Sequence, residues 1–248
     1  AQGYRRWRAL AQPAFASLAA VCAQSVADAE RLRLLGARSV DVTGNLKFDA
    51  TPDRTQVAAG AAWRKTLGRP VILLASTREG EESMLLAPRR SDSPVLIVVV
   101  PRHQRRFDEV AALSDSRRSR QMPAATDRVH LGDSMGEMAF YYGACDVAII
   151  GGSFAPLGGQ NLIEALATGA PVIVGPHMYN FAEATELALR AGAAIQVTDA
   201  AAAMSTALEL LANDAKRQRM GEAGRDLCNA HRGATARHLA TCRRLLRV

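Results

Sequence analysis

The chain has 248 residues, 48% of them apolar and 5% aromatic, with a formal net charge of +7. Its mean hydropathy is -0.04, and no apolar run approaches the roughly eighteen residues of a membrane-spanning helix, so the composition is that of a globular chain with one large or two modest cores. Cys22, Cys145, Cys228 and Cys242 lack CxxC or metal-ligand spacing, and reduced core thiols in a reducing compartment are expected.

Arginine carries most of the charge excess, at Arg5, Arg6 and Arg8, Arg102, Arg105 and Arg106, Arg117, Arg118 and Arg120, and Arg243, Arg244 and Arg247. Such runs fit either a solvated face or anionic partners such as nucleotide phosphates or an acidic membrane surface. Nucleic acid is disfavoured, because no helix-turn-helix, zinc or RNP pattern accompanies the charge. The opening Ala1-Gln2-Gly3 is neither an initiator methionine nor a signal peptide, so the start is expected to be a cut within a longer protein.

In chain order, residues 4–18 read as a helix, 19–23 as a short strand, 25–35 as a helix capped by Ser25, and 39–43 as a strand. The loop from Gly44 through Asp53 is the expected domain junction, and a helix over 56–67 stops at Gly68. A second, longer alternation follows. Strands are expected at 71–75, 95–100, 129–131, 147–150, 172–174 and, as an edge, 194–197. Ser76 with Glu79, Ser134 with Glu137, and Asn161 with Glu164 each have capping-box spacing, the last opening a helix over 161–167. Residues 114–125 read as an arginine-rich surface loop, and the last fifty as helical. One helical face there is marked by Met204, Ala207, Leu208 and Leu211, another by Leu239, Cys242, Leu245 and Leu246. Strands alternating with helices predict an α/β doubly wound parallel sheet.

In such a sheet ligands bind beyond the carboxyl ends of the strands. The residues expected there are Ser76 to Glu79, Arg102 and His103, Gly132 to Glu137, Gly152 and Ser153, Gly158 to Asn161, and Gly175 to His177. Hydroxyls, an arginine and glycine N–H groups are the donors that an anionic phosphate needs, and Glu164 can accept from ribose hydroxyls. Taken singly, Ser76, Ser134 and Asn161 read equally well as caps, Arg102 as half of a surface ion pair, and the histidines as satisfied loop residues. GxGxxG, GxxxxGK[ST], GxSxG and HExxH are all absent.

GNLKFD at 44–49, ASTREGEE at 75–82, VPRH at 100–103 with Arg106-Phe107, LGDSMGEM at 131–138, GGSFAPLGGQNLIEA at 151–165 and GPHMYNF at 175–181 occur in order. Together they closely resemble bacterial 3-deoxy-D-manno-octulosonic acid (Kdo) transferases, inverting glycosyltransferases of lipopolysaccharide biosynthesis with the GT-B fold. The resemblance implies two Rossmann-like domains. Residues 1–45 would be the end of the one that binds the lipid A precursor and faces the inner membrane. Residues 46–248 would be the one that binds the donor, CMP-Kdo.

By that resemblance Ser76 and Thr77 face the donor phosphate, Arg102 and Lys47 counter its charge, and Gly158, Gly159 and Asn161 supply donors at a helix N-terminus. Glu164 holds the ribose, the backbone around Met135 and Gly136 lines the cytosine pocket, and Ser134 is counted among the donor-binding residues. Gln160 stands where many members have histidine, which keeps a hydrogen-bond donor but removes any charge. The general base is expected outside this chain, which would be inactive alone. Transfer would be a direct displacement at the anomeric carbon with CMP leaving, at the cytoplasmic face of the inner membrane. No metal or other cofactor is expected, since the donor has one phosphate and no Asp-x-Asp motif occurs. Other readings of the same residues are a nucleotide-sugar epimerase of this fold and a non-catalytic nucleotide-binding or membrane-associated module.

Overall fold

The computed structural model describes residues 7–89 and 93–246; Arg5, Arg6 and Arg247, and the first residues of the expected opening helix, lie outside them. The chain divides into two compact units, residues 1–50 with 228–248 and residues 51–227. The sequence reading ended the first unit at 45 and gave the whole C-terminus to the second. The structure instead counts the final helix with the first unit.

In that unit α1 (Arg8–Ala16) precedes β1 (Val21–Ala23), α2 (Val26–Leu34) and β2 (Val40–Val42), with β1 and β2 parallel and Val21 opposite Val40. Ser25 caps α2 as expected, its Oγ accepting from Asp28 N at 3.1 Å. A 3₁₀ turn at Leu46–Asp49 then meets α11 (Ala234–Leu246). Asp49 accepts from Gly233 N at 2.6 Å and from Thr235 N, so a residue of GNLKFD caps the last helix. Phe48 is buried, with its ring centroid 5.0 Å from that of His231. The expected apolar face of α11 is a correction: Leu239, Cys242, Leu245 and Leu246 are exposed, while Ala234 and Thr241 are buried. Polar contacts hold this helix instead. Arg237 donates to Thr43 O at 2.8 Å, and Arg244 pairs with Asp41 at 2.6 Å.

The second unit begins with α3 (Arg54–Leu67), capped by Asp53 and ended by Gly68 in the left-handed region. Seven strands follow: β3 (Val71–Thr77), β4 (Leu96–Pro101), β5 (Ser116–Arg117), β6 (Val129–Leu131), β7 (Val147–Ile150), β8 (Val172–Val174) and β9 (Ala194–Gln196). They form one sheet in the order β5-β6-β4-β3-β7-β8-β9, with every pair parallel. Between them run α4 (Glu81–Leu86), α5 (Phe107–Ala111), α6 (Met138–Ala144), α7 (Ile163–Thr168) and α8 (Ala182–Arg190). After β9 come α9 (Ala200–Leu211) and α10 (Asp214–Ala230). The doubly wound parallel sheet is therefore present.

Central strands buried on both faces give the continuous apolar runs that the sequence displays: Val71 to Ala75, Leu96 to Val100 and Val147 to Ile150 are all buried. One side of the core is closed by Leu85 of α4 and by Ala203, Met204, Ala207 and Leu210 of α9. Two expectations change. The stretch read as a surface loop contributes β5, paired through Ser116 to His130, a strand too short to show periodicity. All four cysteines are free, as expected, but only Cys228 is buried, whereas Cys242 is exposed. Among the described residues, no helix is long and apolar enough to cross a membrane.

Candidate functional site

The strand order reverses between β3 and β7, and the crevice outside their carboxyl ends is where a doubly wound sheet binds ligands. Residues there are drawn tightly together. A Cβ on Gly151 would lie 2.6 Å from both Ser76 O and Thr77 Cα, so only glycine lets the two strand ends touch. Arg102 N donates to Thr77 O at 2.9 Å, which brings the end of β4 alongside. Ser153 accepts from Gly175 N at 2.8 Å and donates to Ile150 O at 2.5 Å, tying β7 to β8. That serine is fully buried and both its roles are filled, so it is no nucleophile.

Ser76 does not cap a helix. The strand continues through it to Thr77 with a register shift, and Ser76 has a φ of 58°, alone among described non-glycine residues in a positive-φ conformation. A left-handed serine at a switch point is stored strain of the kind concentrated at ligand sites. Its hydroxyl is half-buried and engages no partner among the described residues. Thr77 behaves differently: it is fully buried and donates to Glu82 Oε1 at 2.6 Å, so it offers no hydroxyl to a phosphate. Glu79 caps nothing either. Hydrogen bonding to its own backbone N–H and to Arg78 holds its carboxyl low, at about 2, and Arg105 pairs with it at 3.4 Å.

Arg102 is exposed at the end of β4, and its guanidinium has no partner among the described residues. Its neighbours are spent. Arg106 is buried against Glu82, and Arg117 and Arg118 pair with Asp133 and Glu137 at 2.6 and 2.9 Å. Arg117 and Arg118 thus brace the 132–137 loop, while Arg120 of the same segment is exposed. Burial pushes the Asp133 carboxyl up, but hydrogen bonds from Ser119 and Arg117 outweigh it and hold the group low. Arg118 likewise lowers Glu137, and its guanidinium lies 3.9 Å from the centroid of the Phe140 ring.

Within that loop Ser134 bonds the hydroxyl of Tyr141 at 2.7 Å instead of capping α6, and burial raises Tyr141 to about 12. Met135 is exposed, and Gly136, at a φ of 79°, has open space where a Cβ would point. Gln56 fixes the carbonyl of Gly136 at 3.0 Å. Met135 and the open space at Gly136 therefore lie side by side at the surface of this loop.

On β7's loop, Gly158 is buried and its carbonyl accepts from Asn180 N at 3.0 Å. The N–H of Gly159 is consumed by Gly152 O at 2.7 Å, which removes it from the donors expected there. A Cβ on Gly159 would also lie 2.2 Å from Met178 Sδ. Asn161 stands one residue before the N-cap position of α7, Leu162, rather than at it; its Oδ1 accepts from Ile163 N at 3.1 Å and its amide donates to Glu164 Oε1 at 2.8 Å, so the expected capping box is replaced by a side-chain pair. Gln160 is half-buried over Gly152, whose Cβ would be 3.1 Å from its amide nitrogen. Helix α7 has six residues, so its dipole is short and polar side chains carry the site. Lys47 is exposed and belongs to the other unit.

The residues that sequence reasoning missed are Glu81, Glu82 and Arg106, all buried beneath these loops. The signal for them was two adjacent glutamates leading directly into an apolar helix face. Among the described residues, no three His, Cys, Asp or Glu side chains gather as a metal site.

The family model of 3-deoxy-D-manno-octulosonic-acid transferases matches residues 1–50, and that of group 1 glycosyl transferases matches residues 120–227. A 3-deoxy-D-manno-octulosonic acid transferase of Bordetella pertussis is 51% identical over 241 residues, covering 91% of this chain and 56% of the relative. One from Haemophilus influenzae is 32% identical, covering 96% and 60%. The chain therefore spans little more than half the length of these curated relatives. The C-terminal CMP-Kdo binding domain of WaaA from Acinetobacter baumannii superposes with a TM-score of 0.66 at 29% identity, covering 71% of this chain and 98% of that one. The seven-stranded unit has the architecture of a GT-B glycosyltransferase C-terminal domain. On its ordered motifs, its fold and these relatives, the chain belongs to the 3-deoxy-D-manno-octulosonic acid transferase family.

Proposed function

We propose that residues 51–227 bind CMP-Kdo and that the protein transfers Kdo to a lipid A precursor at the cytoplasmic face of the bacterial inner membrane. The observation that carries this reading is Arg102, a guanidinium without a partner among the described residues that follows β4 and is bonded through its backbone to Thr77, next to the strained Ser76. An anion such as the donor phosphate completes that pair of donors. Gln160 adds an amide donor, Glu164 retains an acceptor oxygen for ribose, and the open shelf at Met135 and Gly136 receives the cytosine.

As the bond from the anomeric carbon to CMP lengthens, negative charge grows on the departing phosphate. Fixed donors aimed at that charge lower the barrier because they need no reorganisation during the step. The acceptor hydroxyl needs a base, and we place that base, with the acceptor, outside residues 51–227. A single donor phosphate makes a smaller electrostatic demand than a diphosphate, so we propose that transfer needs no metal; CMP binding unchanged by a chelator is the expected result.

Isothermal titration of the chain with CMP tests the site. Wild type is expected to bind, and Arg102→Ala and Glu164→Ala to bind each at least about tenfold more weakly, the scale of a lost charge-assisted hydrogen bond. Undiminished binding in both variants would overturn the assignment.

A further inference from the structure

Glu81 is fully buried, with 0% of its surface exposed, and no cation pairs with it among the described residues. Four backbone N–H groups hold its carboxylate instead. Oε2 accepts from Gly152 at 2.6 Å and from Arg78 at 2.9 Å; Oε1 accepts from Phe154 at 3.0 Å and Ala155 at 3.3 Å. Three of these amides belong to the loop after β7 and one to the turn after β3. The carboxylate therefore sits across the switch point and belongs to both of its walls.

Clustered backbone N–H groups at such a loop form an anion nest, the feature a phosphate commonly occupies. Here the protein's own carboxylate fills it. The consequences run outward through defined contacts. Gly152, held by Glu81 through its N–H, accepts from Gly159 N at 2.7 Å and underlies Gln160. Arg78, held through its N–H, follows directly on the left-handed turn of Ser76.

We propose that Glu81 is the positioning residue of the donor site: an internal anion that sets the Ser76 turn and the Gly158–Gln160 loop in their binding geometry. It thereby leaves the ligand phosphate to side chains such as Arg102. This inference rests on reading the crevice as the donor site. It explains why a chain with so many strand-end glycines presents few free loop amides, since Gly152, Phe154 and Ala155 donate to Glu81 and Gly159 to Gly152. A carboxylate without its backbone donors would be strongly disfavoured in this position, so the loop and the glutamate order one another.

The test uses the whole chain, titrated with CMP, in wild type, Glu81→Asp and Glu81→Ala, the last with and without added formate. Amide exchange at Gly152 and Phe154 and thermal unfolding are followed in parallel. Glu81→Asp keeps the charge but is too short to reach both loops, so it is expected to remain folded at the assay temperature and to bind CMP about tenfold or more weakly. In Glu81→Ala, formate is expected to refill the nest, slow exchange at Gly152 and Phe154 and restore most of the CMP affinity. A purely structural role would lower the melting temperature while folded variants kept wild-type affinity, and formate would change nothing; that result overturns the proposal. If Glu81→Ala does not fold, Glu81→Asp decides by the same affinity criterion. Failure of wild type itself to bind CMP would instead overturn the donor-site reading, so the two failures are distinct.

Discussion

Glu82 and Arg106 face each other in a bidentate, almost fully buried ion pair, with Nη1 2.7 Å from Oε1 and Nη2 2.9 Å from Oε2. The same Oε1 takes the hydroxyl of Thr77, so the last residue of the central strand is locked to α4 and to the turn before α5. Donating to the Glu82 carboxylate drives the Arg106 guanidinium above its usual range. Replacing Arg106 strands Glu82 as a buried charge, and replacing Glu82 leaves the buried Arg106 only the more exposed Glu109, at 2.8 Å. Glu82→Ala is expected to destabilise residues 51–227 by about 3–5 kcal/mol, and Glu82→Leu with Arg106→Met by much less. Urea unfolding of the single and double variants checks the order.

Ser76 offers a test of whether its strain serves binding. Ser76→Gly relieves a left-handed serine and is expected to raise stability by about 1 kcal/mol, while removing the hydroxyl weakens CMP binding. Opposite changes in melting temperature and affinity are the expected outcome. A variant both more stable and unchanged in affinity would mean that the turn has only a structural role.

His130 sets a pH dependence. It is buried on β6, bonded to Ser116 at 2.8 Å and 5.8 Å from the centroid of Trp63, and burial lowers its pKa from 6.5 to about 4. The folded chain keeps it neutral where the unfolded chain protonates it. Its contribution is therefore complete above about pH 6.5 and declines as pH falls toward 4, by up to about 3 kcal/mol over the whole gap. Unfolding free energies measured from pH 7 to 4 are expected to fall more steeply in wild type than in His130→Phe.

Asp49 acts lower on the scale. Hydrogen bonds from Thr235 and Gly233 bring its carboxyl from 3.8 to about 2. A depressed carboxylate stabilises above its unfolded value, and the contribution is lost as pH falls from about 4 to 2. Asp49→Ala is expected to fray the start of α11 and to remove about 1 kcal/mol at neutral pH. Amide exchange at Thr235 reports it directly.

The sheet was legible because its strands are apolar throughout, and the alternation of runs such as those at Val71 and Val147 predicts their parallel arrangement. Three of the polar readings at strand ends were less so. Ser76 and Glu79 have the spacing of a capping box, but spacing does not reveal that a strand runs on through a left-handed residue. Ser134 has the same pattern and spends its hydroxyl on Tyr141, and Asn161 and Glu164 meet side chain to side chain with Leu162, not Asn161, at the N-cap. Glu81 was illegible as a site element because three of its four partners are backbone amides more than seventy positions away, and backbone amides carry no sequence signature. The apolar spacing in α11 misled for a related reason: the helix is held by Arg237, Thr241 and Arg244, whose targets near Thr43 lie far back in the chain.

We propose above that the crevice at Ser76 and Arg102 takes a cytidine monophosphate donor. The most direct measurement is the affinity of the chain for CMP against UDP-GlcNAc, the ligand expected of a nucleotide-sugar epimerase with this fold, by titration at one ionic strength. CMP is expected to bind more tightly, and Arg102→Ala to remove most of that affinity. Tighter binding of UDP-GlcNAc, or CMP binding indifferent to Arg102, would overturn the cytidine-donor reading of the crevice.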